Sequence, residues 1–448
     1  MLDFTLTPEQ EVLKMKAREF ALRTVLPAAW RFDESDEVPL EVLRAAYEAG
    51  LMNVDIPVEY GGKGMGLMEI ALLTEEVAAA CPGIATSIFA NSLGFEPIVI
   101  SGREHIMRRY LPRIANEFKR ICYATSEPSM GSDVAGMQCR ARREGDDYVL
   151  NGTKYWITNA GIADYMTIFA TVDPAAKHAG ICAFLVERDW EGVRVGRRIP
   201  KMGQRTSNTA GIHLKNVRVP AENVLAEPGE GFVLAMKTFA RTRPMIGAFA
   251  VGVMRSAMEY ALDYAKKRRA FGSKLGSYQS VQFKLAEIFQ KVETSRLLVW
   301  KSAWETDRGM DPTISASITK FYTTEAAMQV LNDALQIFGG YGYTKMFPIE
   351  KLLRDTRLFS IYEGTSEIQR IIVAGHLLAS YESIMPPIDE VPILIREDDT
   401  VPETGLAGTD TAWRCPVCGF VHYGEEPPEE CPYCFVGGAG FKKVWPRA

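Results

Sequence analysis

Cys415, Cys418, Cys431 and Cys434 form two CPxC runs separated by twelve residues near the end of the chain. Two cysteines spaced by two residues bring their sulfurs together on one tight turn. A second such turn completes a tetrahedron of thiolates around one metal ion. Gly419 follows the first run, where a chain often needs a positive φ. Trp413, Phe420, Tyr423, Tyr433 and Phe435 surround the cysteines in sequence. So short a tail buries little core, and a metal would have to staple it. Two chemistries suit the site: a structural zinc ribbon, or a single iron that carries one electron. The spacing leaves both open.

The rest of the chain supplies the setting. It has 448 residues, 51 Lys and Arg against 56 Asp and Glu, and a net charge of -5, which argues against nucleic acid as a partner. Hydrophobic residues are 47% and charged residues 24%, the balance of an ordinary globular protein. No apolar run approaches a membrane span, and the N-terminus lacks a basic-then-apolar signal pattern. Thr7, Pro8 and Gln10 read instead as a capped helix start. Cys81, Cys122, Cys139 and Cys182 are scattered singly and read as buried thiols, which fits a reducing cytoplasm.

Apolar residues recur at three- and four-residue steps from Thr7 to about Asn116, predicting helices. Near Ile121 the texture turns to strands. YVLNGTKYWITNA has a hairpin signal at Asn151-Gly152, and ADYMTIFATV, GICAFLVERD and GIHLKNVRVP read as further strands. Helical periodicity returns at Phe232, with breaks at Gly272, at residues 309–312 and at residues 339–342 that imply four helices. Pro386, Pro387, Pro392 and Pro402 then mark an acidic linker with a reach of roughly 30 Å. The reading is a multidomain α+β chain: an N-terminal helical domain (1–120), a middle β-domain (121–231), a four-helix bundle (232–381), a linker (382–410) and a small metal domain (411–448).

Five ordered motifs sit on this frame: YATSEPSMGSD at 123–133, YWITN at 155–159, RRAFG at 268–272 with Gln279, QIFGG at 336–340 and YEGTSEIQR at 362–370. Residues 1 to about 380 resemble the acyl-CoA dehydrogenase family, and the tail resembles the rubredoxin-like domain of rubrerythrins. The resemblance implies FAD-dependent oxidation of a saturated acyl-CoA thioester to its trans-2-enoyl product. That chemistry needs a base for the α-proton, hydrogen bonds on the thioester oxygen, and a flavin to accept the β-hydride. It makes Glu363 the base, with Tyr362 and Gly364 beside the substrate. The thioester oxygen would take hydrogen bonds from the Glu363 amide and a ribityl hydroxyl. Some relatives carry their base where this chain has Thr242, so Glu363 stands alone. Arg243 and Ser132 resemble contacts to the CoA arm, whereas Ala240 stands where many relatives have aspartate.

By the same resemblance, Tyr123, Thr125, Ser126, Trp156 and Thr158 line the isoalloxazine ring, and Thr365 and Glu367 also lie against the cofactor. Arg268, Phe271, Gln279, Gln336 and Gly340 hold the adenine and pyrophosphate across a subunit interface, which implies a homotetramer built of two dimers. The segment 81–94 resembles the floor of the acyl pocket, where Phe89 favours short or medium acyl groups. Implied partners are an acyl-CoA and an electron-transfer flavoprotein or another redox carrier, with one iron in the four-cysteine site and zinc as its alternative. Three readings stay open: the dehydrogenase with an iron relay, the same residues run as an enoyl-CoA reductase in an anaerobe, and a dehydrogenase whose zinc ribbon only binds protein.

Overall fold

The computed structural model describes residues 4–35, 37–385, 412–415, 421–423, 425–431 and 437–445. The chain divides into two compact units, residues 1–369 and residues 370–448. The first begins with helices α1 (Pro8–Phe20), α2 (Leu26–Glu34), α3 (Leu40–Glu48), α4 (Leu67–Ala80), α5 (Pro82–Ser101) and α6 (Glu104–Asn116). The expected capping box is present: Thr7 Oγ1 accepts from the Gln10 amide at 3.2 Å, and Gln10 Oε1 accepts from the Thr7 amide at 3.1 Å. One expectation fails at α5, whose 20 residues are long and apolar enough to cross a membrane. Its apolar window is 78% buried inside the protein, so core packing accounts for its composition.

Strands β1 (Ile121–Ala124), β2 (Arg140–Glu144), β3 (Asp147–Thr158), β4 (Tyr165–Thr171), β5 (Ile181–Glu187), β6 (Val193–Arg198), β7 (Thr209–Val219) and β8 (Val224–Ala226) make one sheet, ordered β6-β7-β3-β2-β4-β5-β8, with β1 parallel to β4. The hairpin expected at Asn151-Gly152 is absent, because both residues lie inside β3, where Asn151 pairs with Arg140 of β2 and Gly152 with Leu214 of β7. The register shifts between Leu150 and Gly152, so the pair marks a bulge. The turn comes earlier, at Gly145 between β2 and β3, with φ 66°.

Long helices α7 (Gly231–Lys267), α8 (Gln279–Asp307) and α9 (Thr313–Phe338) follow, with a small hairpin of β9 (Arg269–Ala270) and β10 (Ser273–Lys274) before α8. The fourth expected helix is two, α10 (Ile349–Thr356) and α11 (Ser366–Ser380), because the motif Tyr362-Glu363-Gly364-Thr365 interrupts it. The N-terminal helices and the bundle are pinned by ion pairs to two buried carboxylates. Glu76 of α4 accepts from Arg18 at 2.8 Å and from Arg255 at 2.7 Å, and Glu75 accepts from Arg296 at 3.0 Å. Gly247 of α7 allows close approach: a Cβ there would lie 2.7 Å from Thr319 Cγ2 on α9. Cys81, Cys122, Cys139 and Cys182 are all buried thiols.

In the second unit, β11 (Ala412–Arg414) pairs antiparallel with β12 (Val421–Tyr423) and with β13 (Lys442–Trp445).

Candidate active site and metal-binding tail

Glu363 sits in the break between α10 and α11 with φ 56°, a left-handed backbone that a non-glycine residue adopts at a cost. Gly364 follows at φ 85°, and a Cβ there would meet Gln369 Nε2 at 2.4 Å. The Gln369 amide donates to the Gly364 carbonyl at 3.2 Å and ties the turn to the first turn of α11. Thr365 Oγ1 accepts from the Ile368 amide at 3.3 Å, so it caps that helix. Glu367 is exposed in the first turn.

The turn delivers the carboxyl of Glu363 to α7, where Thr242 Oγ1 donates to Glu363 Oε2 at 3.0 Å. Burial pushes the Glu363 carboxyl up to about 7, against the opposing pull of Thr242, Arg243 and Lys320. Arg243 is 4% exposed, its Nε makes no hydrogen bond among the described residues, and burial lowers its guanidinium to about 10. Tyr123 of β1 also feels the Glu363 charge, and its ring packs 5.2 Å from Phe239, one turn before Arg243. An aromatic file backs the base: Tyr362 on Phe359 at 6.1 Å, Phe359 on Phe249 at 6.1 Å, and Phe249 on Phe89 at 6.2 Å. Phe89 is 3% exposed on α5.

Next to this centre, β1 and β3 bring the first and second motifs side by side. Buried Lys154 donates to the Thr125 carbonyl at 2.9 Å and to Glu127 at 2.8 Å, and the Tyr155 amide donates to the Ser126 carbonyl at 2.9 Å. The β3 register shifts again between Lys154 and Ile157, and Trp156 at φ 56° is turned out to 52% exposure. A core position for Trp156 is thereby excluded. Thr158 is half-buried. The hydroxyls of Tyr123 and Thr125 are buried without a hydrogen-bond partner among the described residues. Orphan hydroxyls beside an outward-turned indole fit the edge and face of a flavin ring. Ser132 is exposed in the loop that precedes a short helical turn at Val134–Gly136.

The residues expected to hold the adenine and pyrophosphate lie elsewhere. Arg268 caps the far end of α7, 25 residues beyond Arg243 and so about 37 Å along the helix. It lines a groove of about 520 Å³ with Gly340, Tyr264 and Tyr341. Gln336 is exposed one turn before Gly340, Phe271 stands 98% exposed on the β9–β10 hairpin, and Gln279 begins α8 with its side chain exposed.

In the tail, Cys415 directly follows β11 and is 0% exposed, and the strand pair joins Arg414 to Val421 across the first CPxC run. Cys431 is also 0% exposed, and a bridge between Glu430 and Gly437 closes the chain around the second run. Cys418 and Cys434 lie outside the described residues. Among the described residues no group of three or more potential metal ligands occurs.

Sequence reasoning missed two members of the centre. The bond of Thr242 to Glu363 spans 121 positions, which no local pattern records. Lys320 carried a visible signal, a lysine on a helix face otherwise made of Ala316, Thr323 and Ala327.

Three family models match the first part of the chain: the acyl-CoA dehydrogenase N-terminal domain over residues 7–117, its middle domain over 122–217 and its C-terminal domain over 229–378. The rubrerythrin rubredoxin-like domain matches residues 413–442. A probable acyl-CoA dehydrogenase of Mycobacterium tuberculosis is 38% identical over 377 residues, covering 84% of this chain and 97% of its own. Butyryl-CoA dehydrogenase from Megasphaera elsdenii is 34% identical with a TM-score of 0.82, covering 84% of this chain and 100% of its own. A glutaryl-CoA dehydrogenase in complex with glutaryl-CoA is 32% identical with a TM-score of 0.81, covering 84% and 97%.

Proposed function

The chain belongs to the acyl-CoA dehydrogenase family, and we propose that it oxidises a saturated acyl-CoA to the trans-2-enoyl-CoA, with Glu363 taking the α-proton. The observation that carries this reading is the Glu363 carboxyl itself. It is held 3.0 Å from the Thr242 hydroxyl, and burial pushes it up to about 7, which suits a base that must hold and release a proton near neutrality. Thr242 fixes its rotation, and Arg243 supplies positive charge for an anionic CoA arm. FAD, when bound, supplies the acceptor for the β-hydride. Tyr123, Thr125, Ser126, Trp156 and Thr158 would hold the ring, together with Thr365 and Glu367, while Tyr362, Gly364 and Ser132 border the substrate. The second cofactor group, Arg268 to Gly340, serves the cofactor of a neighbouring copy in a dimer of dimers, a reading supported by its distance along α7.

The aromatic file ending at Phe89 favours a short acyl group, and relatives named for butyryl- and glutaryl-CoA support that size. The tail holds one iron through Cys415, Cys418, Cys431 and Cys434 and serves one-electron traffic toward an electron-transfer flavoprotein or another carrier. The five-part division at residues 120, 231, 381 and 410 belongs to this proposal. Anaerobic titration of the purified protein with saturated acyl-CoAs of increasing length tests the reading. Bleaching of the flavin by short acyl-CoAs, with production of the 2-enoyl thioester, is expected. No bleaching by any acyl-CoA overturns it.

A further inference from the structure

Lys320, midway along α9, is 0% exposed, and its Nζ makes no hydrogen bond among the described residues. Around it on the helix, Ala316, Thr323, Thr324 and Ala327 are also 0% exposed, so this is a core face. The face is pressed onto α7 at Gly247, one helical turn beyond Arg243: a Cβ there would lie 2.7 Å from Thr319 Cγ2 and 3.5 Å from Thr323 Oγ1. A buried ammonium without a hydrogen bond is costly, and an apolar side chain would suit such a position better. The strongest favourable influence on Lys320 is the charge of Glu363, with smaller ones from Glu367 and Glu325 and an opposing one from Arg243. Glu363 in turn faces Thr242 and Arg243 on α7, Lys320 on α9 and Tyr123 on β1.

We propose that Lys320 is a positioning residue for acyl-CoA oxidation, its ammonium setting how readily Glu363 takes up and gives up the α-proton. The inference rests on Glu363 being the base. Two buried cations bear electrostatically on that base, but they differ in kind. Arg243, at about 10, stays charged at neutral pH, whereas burial lowers Lys320 to about 7, where Glu363 itself titrates. Each charge favours the charged form of the other, so a change of protonation at one biases the other. When Glu363 accepts a proton, Lys320 loses the charge that holds its own proton. Uptake at the base thus favours release at the amine, and the buried site avoids an uncompensated positive charge.

Lys320→Met tests the proposal in the full-length, FAD-loaded protein. Removing a cation disfavours the carboxylate, so the Glu363 midpoint rises. Its carboxyl band, read by infrared difference against Glu363→Gln, should titrate about one pH unit higher than in the wild type. Flavin reduction by acyl-CoA should be about tenfold slower at pH 6.5 and near wild type at pH 9. Lys320→Arg keeps the charge and should return the midpoint toward wild type. Lys320 binds its proton more weakly folded than unfolded, so it lowers stability below pH 7 and less so toward its unfolded value. Thermal unfolding of Lys320→Met at pH 6 should therefore occur at the wild-type temperature or above. An unmoved Glu363 midpoint, or a loss of stability with the pH profile unchanged, assigns Lys320 a purely structural role and overturns the proposal. If Glu363→Gln still allows flavin reduction, the reading of Glu363 as base has failed instead.

Discussion

The hydroxyl of Thr242 stands 3.0 Å from Glu363 Oε2 and 3.1 Å from the Thr238 carbonyl, one turn back on α7. It has one proton for two acceptors. With Glu363 ionised, the proton serves the carboxylate. With Glu363 protonated, it can turn to Thr238 while the hydroxyl oxygen accepts from the acid. The contact thus persists across the proton transfer. Thr242→Val removes it at nearly constant volume. A hydrogen bond to a charged group contributes about 1.5–3 kcal/mol, so the Glu363 midpoint should rise from about 7 by about one pH unit or more. The base is active when ionised, so the acid limb of the rate of flavin reduction moves to higher pH. Stopped-flow rates between pH 6 and 9 measure it, and an unmoved limb would remove Thr242 from the site.

Glu363→Gln keeps the shape of the side chain and cannot accept a proton. It should retain FAD and bind acyl-CoA while flavin reduction falls about 1,000-fold. Reduction at a near-wild-type rate would place the base elsewhere.

Arg268→Ala should lower FAD retention while leaving the secondary structure of each subunit intact, since Arg268 is exposed at the end of α7 and its guanidinium lies over the Tyr341 ring, at 5.7 Å. The flavin-to-protein absorbance ratio after gel filtration and the far-ultraviolet dichroism separate the two effects. Full flavination that resists stripping would refute the assignment.

Cys431→Ser removes one proposed thiolate. Metal content should fall and the tail should lose its fold, because metal binding supplies its folding energy. Bleaching of the flavin by acyl-CoA in one anaerobic turnover should be unchanged. Metal analysis and the visible spectrum of the wild type come first: zinc in iron-replete preparations would overturn the relay, since four-thiolate sites also bind zinc well.

The legible parts of the sequence are those whose physics is local. The Thr7–Gln10 capping box spans one helical turn and is written in neighbouring residues. Asn151-Gly152 misled because its hairpin signal is also local, whereas pairing with β7 is decided some 60 residues away. The Tyr362-Glu363-Gly364-Thr365 interruption hid inside an apolar period that continues on both sides. What the motifs could not convey was Thr242 against Glu363 and Lys320 in the core, because the first contact spans 121 positions and the second is set by the packing of α9 on α7.

The 37 residues of α7 carry Thr242 and Arg243 near one end and lead into Arg268 at the other. If neighbouring copies complete each other's cofactor sites, cofactor loading obeys mass action between subunits. Dilution alone, with free FAD held constant, should then strip flavin along a curve set by the dissociation of the dimer.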